Sequence, residues 1–210
     1  MYFLDFELLD KNKTVAVCGG AGTHNEFEQL LSKHVKTLIG VDVAFPQPLP
    51  SHCNMITKAL VADGSAAELE FTNSGIYWSV DVAGTEVKTF PTITLEQIQE
   101  EYGEIHVLKL DIEGAEFDIF DKMKAATFEQ ITLEVHDFTD NSHTLDDSIK
   151  LIDTILNMGY SCVWTSGNDK VELLRTNKFG DAHPLGGMNE FSFIRNDLNT
   201  PNQPINILLK

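Results

Sequence analysis

A chain of 210 residues, 42% of them hydrophobic, is long enough to bury a single sizeable core without disulfide staples. Its 15 Lys and Arg stand against 32 Asp and Glu, a formal net charge of −17. A field of that sign repels phosphate backbones and anionic membrane surfaces, which argues against nucleic acid and membranes as partners.

The opening Met-Tyr-Phe-Leu-Asp-Phe-Glu has no basic region and no long apolar core, so no signal peptide is expected. No run approaches the roughly 18 apolar residues of a membrane span, and a cytoplasmic location is expected. The three cysteines, Cys18, Cys53 and Cys162, match no zinc spacing and suit reduced thiols.

Residues 14–18 read as a short apolar strand running into Gly19-Gly20-Ala21-Gly22. Asn25 is placed to cap a helix, with Glu28 completing a capping box and Phe27, Leu30 and Leu31 giving an apolar face. Residues 37–43 form a second strand ending near Asp42, and a proline-rich loop over 44–52 leads to a third strand over 55–62. Residues 66–90 look like three short strands, a hairpin-rich insertion beside the main sheet. Thr94 opens a helix with Gln97 as capping partner and Gly103 as its stop.

The fourth strand, residues 106–112, ends in the densest motif of the chain, Lys109-Leu110-Asp111-Ile112-Glu113-Gly114-Ala115-Glu116. A helix bearing Ala115, Ile119, Phe120 and Met123 follows, then a fifth strand over 131–135. Thr144, with Asp147, caps a helix whose Leu145, Ile149, Ile152 and Leu156 repeat at helical spacing up to Gly159. Residues 160–165 form a sixth strand and 191–195 a late one, expected antiparallel near the sheet edge. Alternating strands and helices imply one α/β domain over 1–210, with its core at about 14–195 and a peripheral tail over 196–210.

Glycines between a strand and a helix let the backbone turn tightly and approach a ligand at a helix N-terminus. Asp42, twenty residues after Gly22, is placed to accept the hydroxyls of a ribose. NAD and S-adenosylmethionine both fit this half. Asp63, after the third strand, favours the second by offering a carboxylate to an adenine amino group.

The chain resembles the FkbM family of S-adenosylmethionine-dependent methyltransferases. The resemblance rests on the 109–116 motif, supported by Lys58-Ala59-Leu60-Val61-Ala62-Asp63-Gly64, Thr94-Leu95, Glu134-Val135-His136 and Phe191-Ser192-Phe193-Ile194-Arg195. It implies a Rossmann-like methyltransferase fold, a mostly parallel seven-stranded sheet with helices on both faces, and usually O-methylation of a hydroxyl on a small metabolite or glycan. By position, Gly20, Ala21 and Gly22, next to Gly19, would line the methionine part of the cofactor. Asp42 beside Val43 would hold the ribose, and Asp63 beside Ala62 the adenine. Cys18 stands where the family's first motif usually has an acidic residue, and His24 where a further glycine is common. Asp111, on the neighbouring strand, is placed to supply a carboxylate to the cofactor.

Transfer to an aliphatic hydroxyl needs a base near the acceptor. His136, leaving the fifth strand and titrating in the right range, is the first candidate, with Asp111 and Glu113 as alternatives. His136 has a structural alternative, a bridge to Asp137, and Glu134 has one as a buried partner of Lys109. Glu116 suits the start of its helix. Tyr77 and Trp78 suit either an acceptor wall or packing. Asp111, Glu134, His136 and Asp137 together offer oxygen and nitrogen ligands, so a magnesium ion is a less favoured possibility. Two rival functions stand beside methyl transfer: a catalytically silent binding module of the same fold, and a nicotinamide-dependent oxidoreductase.

Overall fold

The computed structural model describes residues 2–22, 25–43, 48–73, 78–79, 86–136, 143–167, 173–176, 182–185 and 188–198. In chain order, after a single 3-10 turn at Phe6–Leu8, come β1 (Val15–Gly19), α1 (Glu26–Leu31), β2 (Thr37–Val41), β3 (Asn54–Ile56), β4 (Ala59–Val61), β5 (Glu68–Asn73), β6 (Trp78–Ser79) and β7 (Glu86–Thr94). The second half holds α2 (Leu95–Tyr102), β8 (Val107–Leu110), α3 (Glu116–Lys122), β9 (Gln130–His136), α4 (Leu145–Asn157), β10 (Tyr160–Gly167), β11 (Leu173–Thr176), β12 (Ala182–Leu185) and β13 (Met188–Arg195).

Seven strands form the main sheet in the order β3-β2-β1-β8-β9-β13-β10. The pairs from β3 through β9 are parallel, and β13 runs antiparallel to both β9 and β10. The late strand is antiparallel and near the sheet edge, as expected, lying between β9 and the edge strand β10. It starts earlier than expected, at Met188, because its pairing with β9 continues to His136.

Strand periodicity divides the core in two. Val15, Val17, Leu108, Leu110, Ile131 and Leu133 face one way, onto Leu95 and Ile98 of α2, Ile119 and Phe120 of α3, and Leu151 and Ile155 of α4. Ala16, Cys18, Leu38 and Val107 face the other way, onto Leu31 of α1 and Leu4 of the opening segment. Helices thus cover both faces, with residues 2–9 completing the second.

The Thr94–Gln97 and Thr144–Asp147 capping boxes form as expected, each with reciprocal side-chain and backbone bonds. Gly103 (φ 89°) and Gly159 (φ 104°) stop the helices that they follow. The expected Asn25–Glu28 box does not form: Asn25 makes no side-chain cap bond, and its Oδ1 accepts from Gln29 Nε2 at 2.7 Å. Glu28 turns inward instead and is buried.

The expected third strand over 55–62 is two strands in different sheets. Thr57 and Lys58 are exposed and break it. β3 stays on β2, while β4 pairs in parallel with β7 in a second sheet, ordered β4-β7-β5-β6. The insertion over 66–90 is thus strand-rich, as expected, and is anchored to the main domain through β4.

The Tyr160 hydroxyl ties the start of β10 to the segment before β9, donating to Phe128 O at 2.9 Å and accepting from Phe128 N–H at 3.0 Å. Tyr160→Phe leaves both buried groups unpaired. It should lower stability by about 1–3 kcal/mol, read as a lower urea midpoint at unchanged slope.

Candidate active site

In an open α/β sheet the ligand crevice lies outside the carboxyl ends of the strands, where the strand order reverses. Here that point falls between β1 and β8, since the chain builds outward from β1 to β3 and then returns to place β8 on the other side of β1. The glycine loop leaves β1 there and the acidic turn leaves β8.

The two turns touch. Gly20 has φ +73°, and a Cβ on it would fall 1.7 Å from the carbonyl oxygen of Asp111. Its N–H donates to Val41 O at 2.9 Å, and Asp111 N–H donates to Gly19 O at 3.2 Å. Only glycine meets both the positive φ and the close approach. On the other side, a Cβ on Gly22 would lie 3.4 Å from Asp42 Oδ2, so the loop meets the carboxylate that ends β2. Ala21 is fully buried. Val43 follows Asp42, and both are half-buried.

The β8 turn is held from beneath. Glu113 has φ 58° and Gly114 φ 107°. A non-glycine residue in the left-handed region is uncommon and strained. Glu116, fully buried, accepts from Ile112 N–H at 2.9 Å and from Gly114 N–H at 2.8 Å. Its carboxylate therefore caps the acidic turn itself, beyond the helix-start role expected of it.

Below the glycine loop sits a buried ammonium. Lys109 Nζ donates to Gly20 O at 3.0 Å, Gly19 O at 3.3 Å and Asp111 Oδ2 at 3.4 Å. Glu28 Oε1 lies 3.6 Å away, with the side chains of Lys109 and Glu28 only 3% and 1% exposed. Among the described residues neither Glu28 oxygen has a hydrogen-bond partner. Burial opposes the charge on Lys109, but Asp111 and Glu28 outweigh it and hold the amine above its ordinary range. Burial raises Glu28, and Lys109 pulls it part of the way back. Burial, reinforced by Glu28, pushes the Cys18 thiol well up, so Cys18 supplies no anion.

Tyr2 covers this cluster. Its hydroxyl donates to Asp111 Oδ2 at 2.7 Å and to Glu134 Oε2 at 3.3 Å, and Lys109 Nζ lies 5.0 Å from its ring centre. Burial first, then Asp111 and Glu134, push its phenol far up, so it stays a donor.

The structure thus brings together Gly19, Gly20, Ala21, Gly22, Asp42 and Asp111. Asp63, beside half-buried Ala62, is tied to α3: Oδ2 pairs with Lys122 and Oδ1 accepts from Ser65 N–H at 2.9 Å. His136 ends β9 opposite Met188 of β13, and its side chain lies outside the described residues, as do His24, Tyr77 and Asp137. Tyr2, Glu28 and the loop-binding role of Lys109 were not anticipated. The available signals were strand parity, which puts Lys109 and Asp111 on one face, and the three-residue spacing of Glu28 and buried Leu31 on α1. Among the described residues no group of three His, Cys, Asp or Glu side chains is arranged to hold a metal ion.

Gly20→Ala should cost about 1–2 kcal/mol from the positive φ alone, with the clash on Asp111 adding to it. Gly64→Ala, where nothing lies within 4 Å, should stay within about 0.5 kcal/mol of the parent. Thermal unfolding of the two variants side by side checks both.

Among solved structures, the chain is similar to an rRNA methylase from Streptococcus thermophilus, with 10% identity, 90% of each chain covered and a TM-score of 0.42. It is also similar to precorrin 8w decarboxylase from Methanobacterium thermoautotrophicum, with 12% identity, 87% of this chain and 81% of that one covered and a TM-score of 0.41. No curated protein matches the sequence. The methyltransferase FkbM domain matches residues 9–162. With that match over most of its length, and with the Rossmann-like sheet reversing at the glycine loop, the chain belongs to the FkbM family of S-adenosylmethionine-dependent methyltransferases.

Proposed function

We propose that this protein is an O-methyltransferase acting in the cytoplasm on a hydroxyl of a small metabolite or glycan. The observation that carries the reading is the apposition of Gly22 with Asp42 Oδ2, across the β1–β2 side of the loop that leaves the sheet at its reversal point. A loop with no side chain larger than the buried methyl of Ala21, beside a half-buried carboxylate, fits a nucleoside whose tail must pass close to backbone. In this reading Gly19, Gly20, Ala21 and Gly22 border the methionine part of the cofactor, Asp42 beside Val43 accepts the ribose hydroxyls, and Asp63 beside Ala62 meets the adenine. The excess of carboxylates favours a cationic cofactor over an anionic substrate.

S-adenosylmethionine, when bound, supplies an electrophilic methyl group. The protein's part is to align the acceptor oxygen and remove its proton. Asp111 Oδ2 already accepts from Tyr2 and Lys109, which makes it a second choice as base. Glu113 sits on a strained turn beside it. His136 ends the next strand on the same sheet edge and is assigned the base, with Asp111 and Glu113 as its alternates.

Asp42→Ala should weaken S-adenosylhomocysteine binding by about 10- to 100-fold, the worth of one or two hydrogen bonds to a charged group. An unchanged dissociation constant in calorimetry removes Asp42 from the site. His136→Ala should lower kcat by about 10²–10⁴-fold while leaving that dissociation constant in place. The assay is transfer of labelled methyl groups from S-adenosylmethionine to a panel of hydroxylated metabolites and sugars. Full activity in the variant assigns the base elsewhere. Binding without turnover on any acceptor supports the silent-module reading.

A further inference from the structure

Cys18 of β1 and Lys109 of β8 are direct partners in the parallel ladder. A buried ammonium at that position needs an anion, and Cys18, a neutral thiol, does not provide one. Asp111 answers part of the need at 3.4 Å, and Glu28 answers from the other side at 3.6 Å, reaching in from α1. Two donors of Lys109 go to the carbonyls of Gly19 and Gly20, the two residues at which the loop leaves β1. Four points are thereby linked: helix α1, the glycine loop, strand β8 and the acidic turn.

We infer that Lys109 and Glu28 are positioning residues, whose ion pair sets the place of the glycine loop over β8 and so the geometry of the cofactor site. This rests on the cofactor reading above. A pair that only added stability could be exchanged for apolar side chains with little loss. This pair instead holds backbone carbonyls of the loop that meets the ligand. Its effect on binding should depend on an anion facing Lys109, not on which element supplies it. The ladder offers the means to test this, because an aspartate at position 18 would face Lys109 from β1.

The test compares the full chain with Glu28→Gln and with the double variant Cys18→Asp, Glu28→Gln, checking each for folding by circular dichroism and thermal unfolding. The first readout is the dissociation constant of S-adenosylhomocysteine. The second is hydrogen exchange of the Gly20 and Ala21 amides without any ligand. Glu28→Gln should raise the dissociation constant by about tenfold or more, the equivalent of one charge-assisted contact, and speed Gly20 exchange. The double variant should recover most of both losses. If Glu28→Gln lowers only the melting temperature, the pair is structural and the inference is overturned. The same holds if the double variant is no better than the single one, whether because it fails to bind or fails to fold. Should the parent protein itself not bind S-adenosylhomocysteine, the cofactor reading fails, while Gly20 exchange still decides whether the pair places the loop.

Discussion

The buried ammonium of Lys109 is the constraint around which the crevice is arranged. Removing a cation from water costs several kcal/mol even after relaxation, and here it is met by two carbonyls, Asp111 and Glu28. Those partners come from three separate parts of the chain. Satisfying one charge therefore fixes the glycine loop, the β8 tip and α1 relative to one another. Tyr2 closes the cluster from above, with its hydroxyl on Asp111 and Glu134.

The two faces of the sheet divide the work. The face covered by α2, α3 and α4 is apolar throughout its centre and supplies most of the burial that stabilises the domain. The other carries a polar row. Thr132 and Ser192 hydroxyls lie 3.0 Å apart, Ser192 Oγ accepts from Phe3 N–H, and Gln130 bonds both N–H and C=O of Asp5. Apolar burial is non-directional, whereas hydrogen bonds fix both distance and angle. The polar row thus gives residues 2–5 a fixed register across β9 and β13, which brings Tyr2 to the carboxyl edge.

Most of the architecture was legible in the chain because it rests on local signals. Apolar runs of strand length, two capping boxes and glycine stops gave the main elements close to their observed bounds. The misreadings came where a non-local choice overrode a local pattern. Residues 55–62 read as one strand, but the exposed Thr57–Lys58 step lets β4 leave for the second sheet. Glu28 matches the capping pattern, but a buried ammonium holds it more strongly than a helix-end amide. The insertion of β13 between β9 and β10 has no local signal at all, since pairing partners far apart in sequence leave no mark on either strand.

The sequence by itself determined the family, the glycine bend, the carboxylate after the second strand and the acidic turn after the fourth, because each is a short run whose chemistry is local. Only the tertiary structure decided which of these groups meet: Gly20 against Asp111, Gly22 against Asp42, and Glu28 against Lys109. Such contacts are fixed by the order in which strands pair and by the need to neutralise a charge sealed from water, and neither is written in any one segment.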